Sequence, residues 1–157
     1  MIVPTRWVIE SLVPPDNVDG IDGPKPKSMS DVSWKKLKMV YKASKITHSK
    51  AIQMGIKIAT GCDIFVAEGY GTSSKELQHL VDLGMTNAQA IEAATVNGPL
   101  SLGINQAPLS GQIKAGYHAD VLGLNANPLH DGVHVLQDYQ TTIQLVFKGG
   151  ILQKNIQ

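Results

Sequence analysis

The sequence predicts an α/β fold followed by a small β appendage, and three observations carry that expectation. Residues 56–60, Ile-Lys-Ile-Ala-Thr, form a short apolar run with period-two spacing that ends in Gly61 and delivers Asp63, as a buried parallel strand would. Helical patterns with their own start and stop signals lie on either side of it. From about Ser110 the texture changes: Gly, Asp and Asn punctuate short apolar runs at 119–124 and 142–147, which reads as a few β-strands. The order strand, helix, strand, two helices, then strands is that of an α/β unit with an attached sheet.

Each element has a local cause. Residues 2–5 are an apolar run stopped by Pro4, so a strand there ends at once. Residues 13–31 carry Pro14-Pro15-Asp16-Asn17, Asp19-Gly20, Gly23-Pro24 and Pro26, which excludes a regular helix or a central strand. In residues 32–53, Leu37, Val40, Tyr41, Ser44, His48, Ala51 and Ile52 recur at three- and four-residue steps, one face of a long helix that Gly55 is placed to end. Ser73-x-x-Glu76 reads as a capping box opening a helix with a Leu77, Leu80, Val81 stripe, ended by Gly84. Thr86-x-x-Gln89 is a second box, with Met85 and Ala90 spaced as a hydrophobic staple, and Asn97-Gly98-Pro99 breaks that helix after about Thr95. Lys148-Gly149-Gly150 reads as a hairpin turn into Ile151-Leu152.

Composition narrows the function classes. The chain has 157 residues, 43% hydrophobic and 17% charged, which suits a folded globular protein. A net charge of +1 gives no broad electrostatic drive toward nucleic acid or an anionic membrane, so neither is expected as a partner. The basic residues between Lys25 and Lys45 alternate with apolar ones and read as a solvated helix face. No apolar run approaches the ~18 residues of a membrane span. Cys62 is the single cysteine, so neither an intrachain disulfide nor a multi-cysteine zinc knuckle can form. That is compatible with a reducing compartment; residues 1–6 do not read as a signal peptide, and the compartment is left open, with the cytoplasm favoured, since the natural N-terminus can lie upstream.

Asp63 is the leading candidate for chemistry. A carboxylate is a hard oxygen ligand and a possible general base, and it follows a glycine that would let the backbone turn sharply at a strand end. Capping of a turn or of the following helix is the competing role. His48 falls on an apolar stripe and reads as a packed histidine; His79 lies beside the Leu77/Leu80 face and His118, His130 and His134 fall in the β-rich tail. His130-x-x-x-His134 has helical ligand spacing, but Asp131-Gly132 between them opposes a helix. Cys62 reads as a small buried hydrophobe rather than a reactive thiol. Gly69-Tyr-Gly-Thr-Ser-Ser-Lys75 matches neither phosphate-loop pattern and reads as a loop entering a helix.

Taken together, these motifs resemble the metal-dependent amidohydrolase superfamily, in its imidazolonepropionase-like, Xaa-Pro dipeptidase and ochratoxinase branch. Gly55-Ile-Lys-Ile-Ala-Thr-Gly-Cys-Asp63 resembles the family's last barrel strand, which usually ends Gly-Thr-Asp, and Val3-Pro4-Thr5 resembles the end of the seventh. Gly71-Thr-Ser-Ser-Lys-Glu-Leu77, Leu83-Gly-Met-Thr-Asn-Ala-Gln-Ala-Ile91 and Ala93-Ala94-Thr95 resemble the helices that follow. Gly111-Gln-Ile-Lys-Ala-Gly116, Ala119-Asp-Val-Leu122, Asn127-Pro-Leu129 and Val146-Phe-Lys-Gly-Gly150 resemble the return into a composite β domain.

The resemblance implies the C-terminal part of a (β/α)8 TIM barrel, about strands 7 and 8 with their helices, over residues 1–105, and the β-strand tail of a composite β-sandwich domain over 106–157. It implies a hydrolase of carbon–nitrogen bonds that uses one or two zinc ions on a small-molecule or dipeptide-like amide. Asp63 then matches the family's strand-eight aspartate, at once a metal-site carboxylate and the base that takes the proton of the attacking water. The family's His-x-His, its bridging lysine carboxylate and its histidines of strands five and six have no counterpart here. At 157 residues the chain is also shorter than the ~250 of a complete barrel. It is therefore expected to need the rest of the barrel or an oligomer. Cys62 stands where the family usually has threonine, and Tyr70 where many members have histidine. The alternative is a non-catalytic remnant serving as an interaction or structural module.

Overall fold

The computed structural model describes residues 1–13, 20–64, 69–103, 105 and 107–156. Its elements in order are helices α1 (Arg6–Ser11), α2 (Asp31–Gln53), α3 (Lys75–Asp82), α4 (Asn87–Ala94) and α5 (Asn97–Leu100), then strands β1 (Val121–Leu124), β2 (Ile143–Lys148) and β3 (Ile151–Asn155). Short 3-10 helices lie at Gly20–Asp22 and Val133–Gln137. The Pro14-Pro15-Asp16-Asn17 cluster expected as loop lies outside the described residues.

Residues 56–60 take their expected place but barely form a strand. Ile58 pairs with Ile2 in a single parallel bridge: Ile2 N–H donates to the Lys57 carbonyl and Ala59 N–H to the Ile2 carbonyl, both at 3.0 Å. In a parallel ladder, alternate residues address opposite edges, so the groups of Ile58 and Thr60 face away from Ile2. That far edge is occupied by the helices that follow. The Asn97 side-chain amide donates to the Ile58 carbonyl at 2.9 Å, and Thr60 N–H donates to the Ala93 carbonyl at 3.1 Å. Ile58 and Ala59, adjacent in sequence, are 1% and 0% exposed, so the segment is buried on both faces. Ile56 is not on the buried face with Ile58 as period two predicts; it is exposed.

Helix α2 begins at Ser30, whose hydroxyl accepts from Ser33 N–H. It ends in a Schellman motif, with Gly55 N–H bonded to the Ile52 carbonyl and Ile56 N–H to the Ala51 carbonyl. Trp34 and Leu37 of α2 close on Ile21, with Ile9, Met29 and Tyr41 at the margin, in a small core of their own. The opposite side of α2 leaves Val32, Met39 and Ile46 exposed at seven-residue intervals. Helix α4 carries the expected capping box, Gln89 N–H to Thr86 Oγ1 and Thr86 N–H to Gln89 Oε1, and Ala90 is wholly buried with Met85 packed against the same cluster.

Helix α1 spans only six residues, too short a pattern to read from the sequence. Two further expectations need correction. Asn97-Gly98-Pro99 does not simply break the chain; it forms the one-turn α5, which seats Asn97 against Ile58. The Ser73/Glu76 capping box does not form: α3 starts after Ser74 without a side-chain cap, and Glu76 is used elsewhere.

The main core joins Ala51, Ile58, Leu77, Leu80, Ala90, Ala93 and Val133. Val133 comes from the 3-10 helix of the tail and is 0% exposed, so the tail contributes to the helical core. The tail itself is a three-stranded antiparallel sheet of order β1-β2-β3, its hairpin turning at Gly149-Gly150 as expected. Asp120 Oδ1 accepts from Gly149 N–H and so ties the start of β1 to that turn.

Losing the Asn97 amide leaves the Ile58 carbonyl buried and unpaired, a cost of about 1–3 kcal/mol. Asn97→Ala is therefore expected to lower the urea midpoint at unchanged slope. An unchanged midpoint would show that this edge is held by something else.

Candidate active site

Asp63 is exposed and stands just past the carboxyl end of the buried segment. The sharp turn expected at Gly61 falls instead on Asp63, which takes φ 49, the left-handed region that aspartate tolerates better than most residues. Gly61 is small for a different reason: a Cβ there would lie 2.7 Å from Val3 Cγ1, so the two strand ends approach too closely for a side chain. Cys62 is half-buried and unpaired by any disulfide, and Tyr70 is 76% exposed.

A zinc site needs three or four protein ligands. Among the described residues, no group of three or more His, Cys, Asp or Glu side chains could hold a metal ion. Asp63 thus offers one ligand rather than a site, and the described residues do not fit a resident metal by themselves. Among the described residues, no histidine joins Asp63 in a group of three or more potential ligands. His118, His130 and His134 are exposed on the tail, with His130 Nδ1 2.9 Å from Asp131 Oδ1. His48, on α2, is half-buried and belongs to neither core cluster, and burial pushes its pKa down. His79 stacks on Trp7 with ring centroids 6.0 Å apart, and burial lowers its pKa as well. Residues 69–75 run as hydrogen-bonded turns into α3, Thr72 N–H to the Gly69 carbonyl and Lys75 N–H to the Thr72 carbonyl.

A buried charged cluster beside this site escaped sequence reasoning. Glu76 is 0% exposed, and its carboxylate accepts from the backbone N–H groups of Arg6 (3.0 Å) and Trp7 (2.6 Å), the first residues of α1. Arg6 is 2% exposed; its guanidinium donates to Glu10, the Tyr41 carbonyl and Ser44 Oγ, and lies 4.0 Å from the Tyr41 ring centroid. The signal was present: Glu76 falls four and seven residues before Leu80 and Leu83, in line with the buried face of α3 and its C-cap. Burial pushes the Glu76 pKa up to about 7, against the opposing pull of the two N–H groups and of Arg6.

A groove of about 640 Å³ lies between α3, α4 and the sheet, lined by Leu77, Ile91, Leu122, Leu124 and Ile143 among others. It reaches Thr60 but not Asp63. No helix among the described residues is long and apolar enough to cross a membrane.

The chain as a whole has counterparts among known proteins. The chain belongs to the amidohydrolase family, whose model matches residues 28–152. It is 45% identical over 123 residues to ochratoxinase from Aspergillus niger, a match covering 78% of this chain and 24% of that protein, so it spans about a quarter of that relative's length. The crystal structure of A. niger ochratoxinase superposes with a TM-score of 0.79 at 40% identity, over 98% of this chain and 32% of that one. The structure of a Xaa-Pro dipeptidase with methionine bound in its active site superposes with a TM-score of 0.72 at 28% identity, over 98% of this chain and 34% of that one. Helices and sheet alike thus follow the amidohydrolase architecture.

The Glu76 environment has a readable consequence in pH. Its folded-state pKa of about 7 exceeds the ordinary 4.5, so in that window the folded chain keeps a proton that the unfolded chain releases. The stabilising contribution is complete below pH 4.5 and is lost as pH rises through 7. The stability difference between the native chain and Glu76→Gln, followed by denaturant unfolding across that window, is expected to shift against the native chain as pH rises. A pH-independent difference would show that Glu76 titrates normally.

Proposed function

We propose that this chain supplies the Asp63 end of a centre that hydrolyses carbon–nitrogen bonds, amide or cyclic amide, in small or dipeptide-like substrates. The observation that supports it best is the exposed Asp63 carboxylate at the end of a buried, parallel-paired segment in a chain of the amidohydrolase family. In this reading residues 1–105 correspond to about strands 7 and 8 of a TIM barrel with their helices, and 106–157 to the tail of the composite β domain. The carboxyl ends of barrel strands are where such chemistry is built.

Asp63 acts as the general base. It takes a proton from the water that attacks the substrate carbonyl and returns it to the departing amine nitrogen, so the carboxylate is regenerated each turnover. The same carboxylate is a metal-site ligand, with zinc the proposed metal. The other ligands then come from polypeptide beyond the described residues, the rest of a barrel or another subunit. The exposed Val32, Met39 and Ile46 stripe of α2 supports such a covering partner, since an apolar row on a long helix is normally packed.

A second reading is favoured by the solitude of Asp63 among the described residues: a non-catalytic module that keeps the fold for interaction. One experiment separates the two. A chimera of A. niger ochratoxinase, with its superposed region replaced by this chain, is assayed on N-acyl amino acids and Xaa-Pro dipeptides, and its metal is measured by elemental mass spectrometry. The hydrolase reading expects metal-dependent turnover that Asp63→Ala lowers by about 100-fold or more. A folded chimera that binds metal but turns over nothing would favour the module. The chain by itself is expected to hydrolyse none of these substrates; metal-dependent activity of the pure chain, abolished in Asp63→Ala, would refute the need for a partner.

A further inference from the structure

We propose that Trp7 and Thr72, anchored by Glu76, are positioning residues that hold the Asp63 backbone in its left-handed conformation. This rests on the hydrolase reading for what Asp63 does, but not for how it is held. Aspartate tolerates φ 49 better than most residues, but the region stays sparsely populated for any non-glycine, so the surroundings decide whether it is held there. Those surroundings form a continuous line of contacts. Ile64, the next residue, packs under Gly69 so closely that a Cβ on Gly69 would lie 2.7 Å from Ile64 Cγ2. The Gly69 carbonyl accepts from Thr72 twice, from the hydroxyl at 2.6 Å and from the backbone N–H at 3.1 Å. The same hydroxyl accepts from the Trp7 indole N–H at 3.0 Å. One hydroxyl thus spends its proton on Gly69 and a lone pair on Trp7, a combination that only Ser or Thr supplies at this size.

Trp7 is itself immobilised. His79 stacks on one side of its ring system, the Lys75 ammonium stands 4.3 Å from the ring centroid, and the Trp7 backbone N–H is bonded to Glu76 Oε2. Ile2 and Ile58 form the parallel bridge, and Trp7 lies five residues beyond the first, Ile64 six beyond the second. The relay therefore ties the two bridged segments together past the bridge through side chains rather than through further ladder hydrogen bonds. Fixing a base in its working geometry is the service such residues give, and misplacing it by an ångström is costly to a rate.

The test is an amide and indole NMR spectrum of the full chain. Thr72→Val keeps the shape and removes the hydroxyl; Thr72→Ser restores it. The Trp7 indole signal and the Asp63 and Ile64 amide signals are expected to move together in Thr72→Val, to return in Thr72→Ser, and to leave Val146 in the sheet unmoved. If Thr72→Val loses its dispersed spectrum, Trp7→Phe removes only the indole and its donor and is read on the same Asp63 and Ile64 signals. Movement confined to Trp7 and residues 69–72, or Asp63 signals that Thr72→Ser fails to restore, overturns the relay. This readout needs no substrate. Its failure leaves the hydrolase reading standing, whereas a folded chimera without turnover overturns that reading and leaves the relay standing.

Discussion

The structure depends on how residues 57–60 dispose of their backbone groups. A single extended segment this short has little stability of its own. Here it is satisfied on both edges, by Ile2 on one side and by the Asn97 amide and the Ala93 carbonyl on the other, while Ile58 and Ala59 fill the core. Those bonds fix where α4 and α5 lie against the segment, and they fix where the segment ends, which is where Asp63 emerges. The position of the candidate base is therefore a consequence of backbone accounting several residues away.

Much of this was legible. The helix over Asp31–Gln53, its Gly55 terminus, the Thr86/Gln89 capping box and the Gly149-Gly150 turn are local devices, and their residues do locally what their chemistry dictates. The errors come where a side chain answers to a distant partner. Glu76 has the spacing of a capping residue, but the backbone amides of Arg6 and Trp7, some seventy positions away in sequence, compete for its carboxylate and win. Asn97 stands in a sequence that breaks helices, yet the Ile58 carbonyl recruits it.

The candidate site was legible in part and for a clear reason. Asp63 could be singled out because a strand end, a glycine and a carboxylate occur in order along the chain. The Arg6, Glu10 and Glu76 cluster could not, since it is assembled from α1 and α3 only in space. Its one trace in the sequence, a glutamate on an apolar helical stripe, is also what a surface helix shows at its margin. The resemblance to amidohydrolases depended on motif order over nearly the whole length, and the family match over residues 28–152 rests on the same breadth.

Val133 has a consequence for the chain as a folding unit. It lies in the tail, beyond any boundary that composition would suggest, yet it sits wholly buried among Leu77, Leu80, Ala90 and Ala93. The tail is a plug, and the helical part is its socket. Cooperative unfolding then extends across both, because the helices cannot keep a closed core once the plug is withdrawn. A cut between α5 and β1 that let the tail drift away would leave an apolar hole rather than a smaller domain, so the two parts stand or melt together.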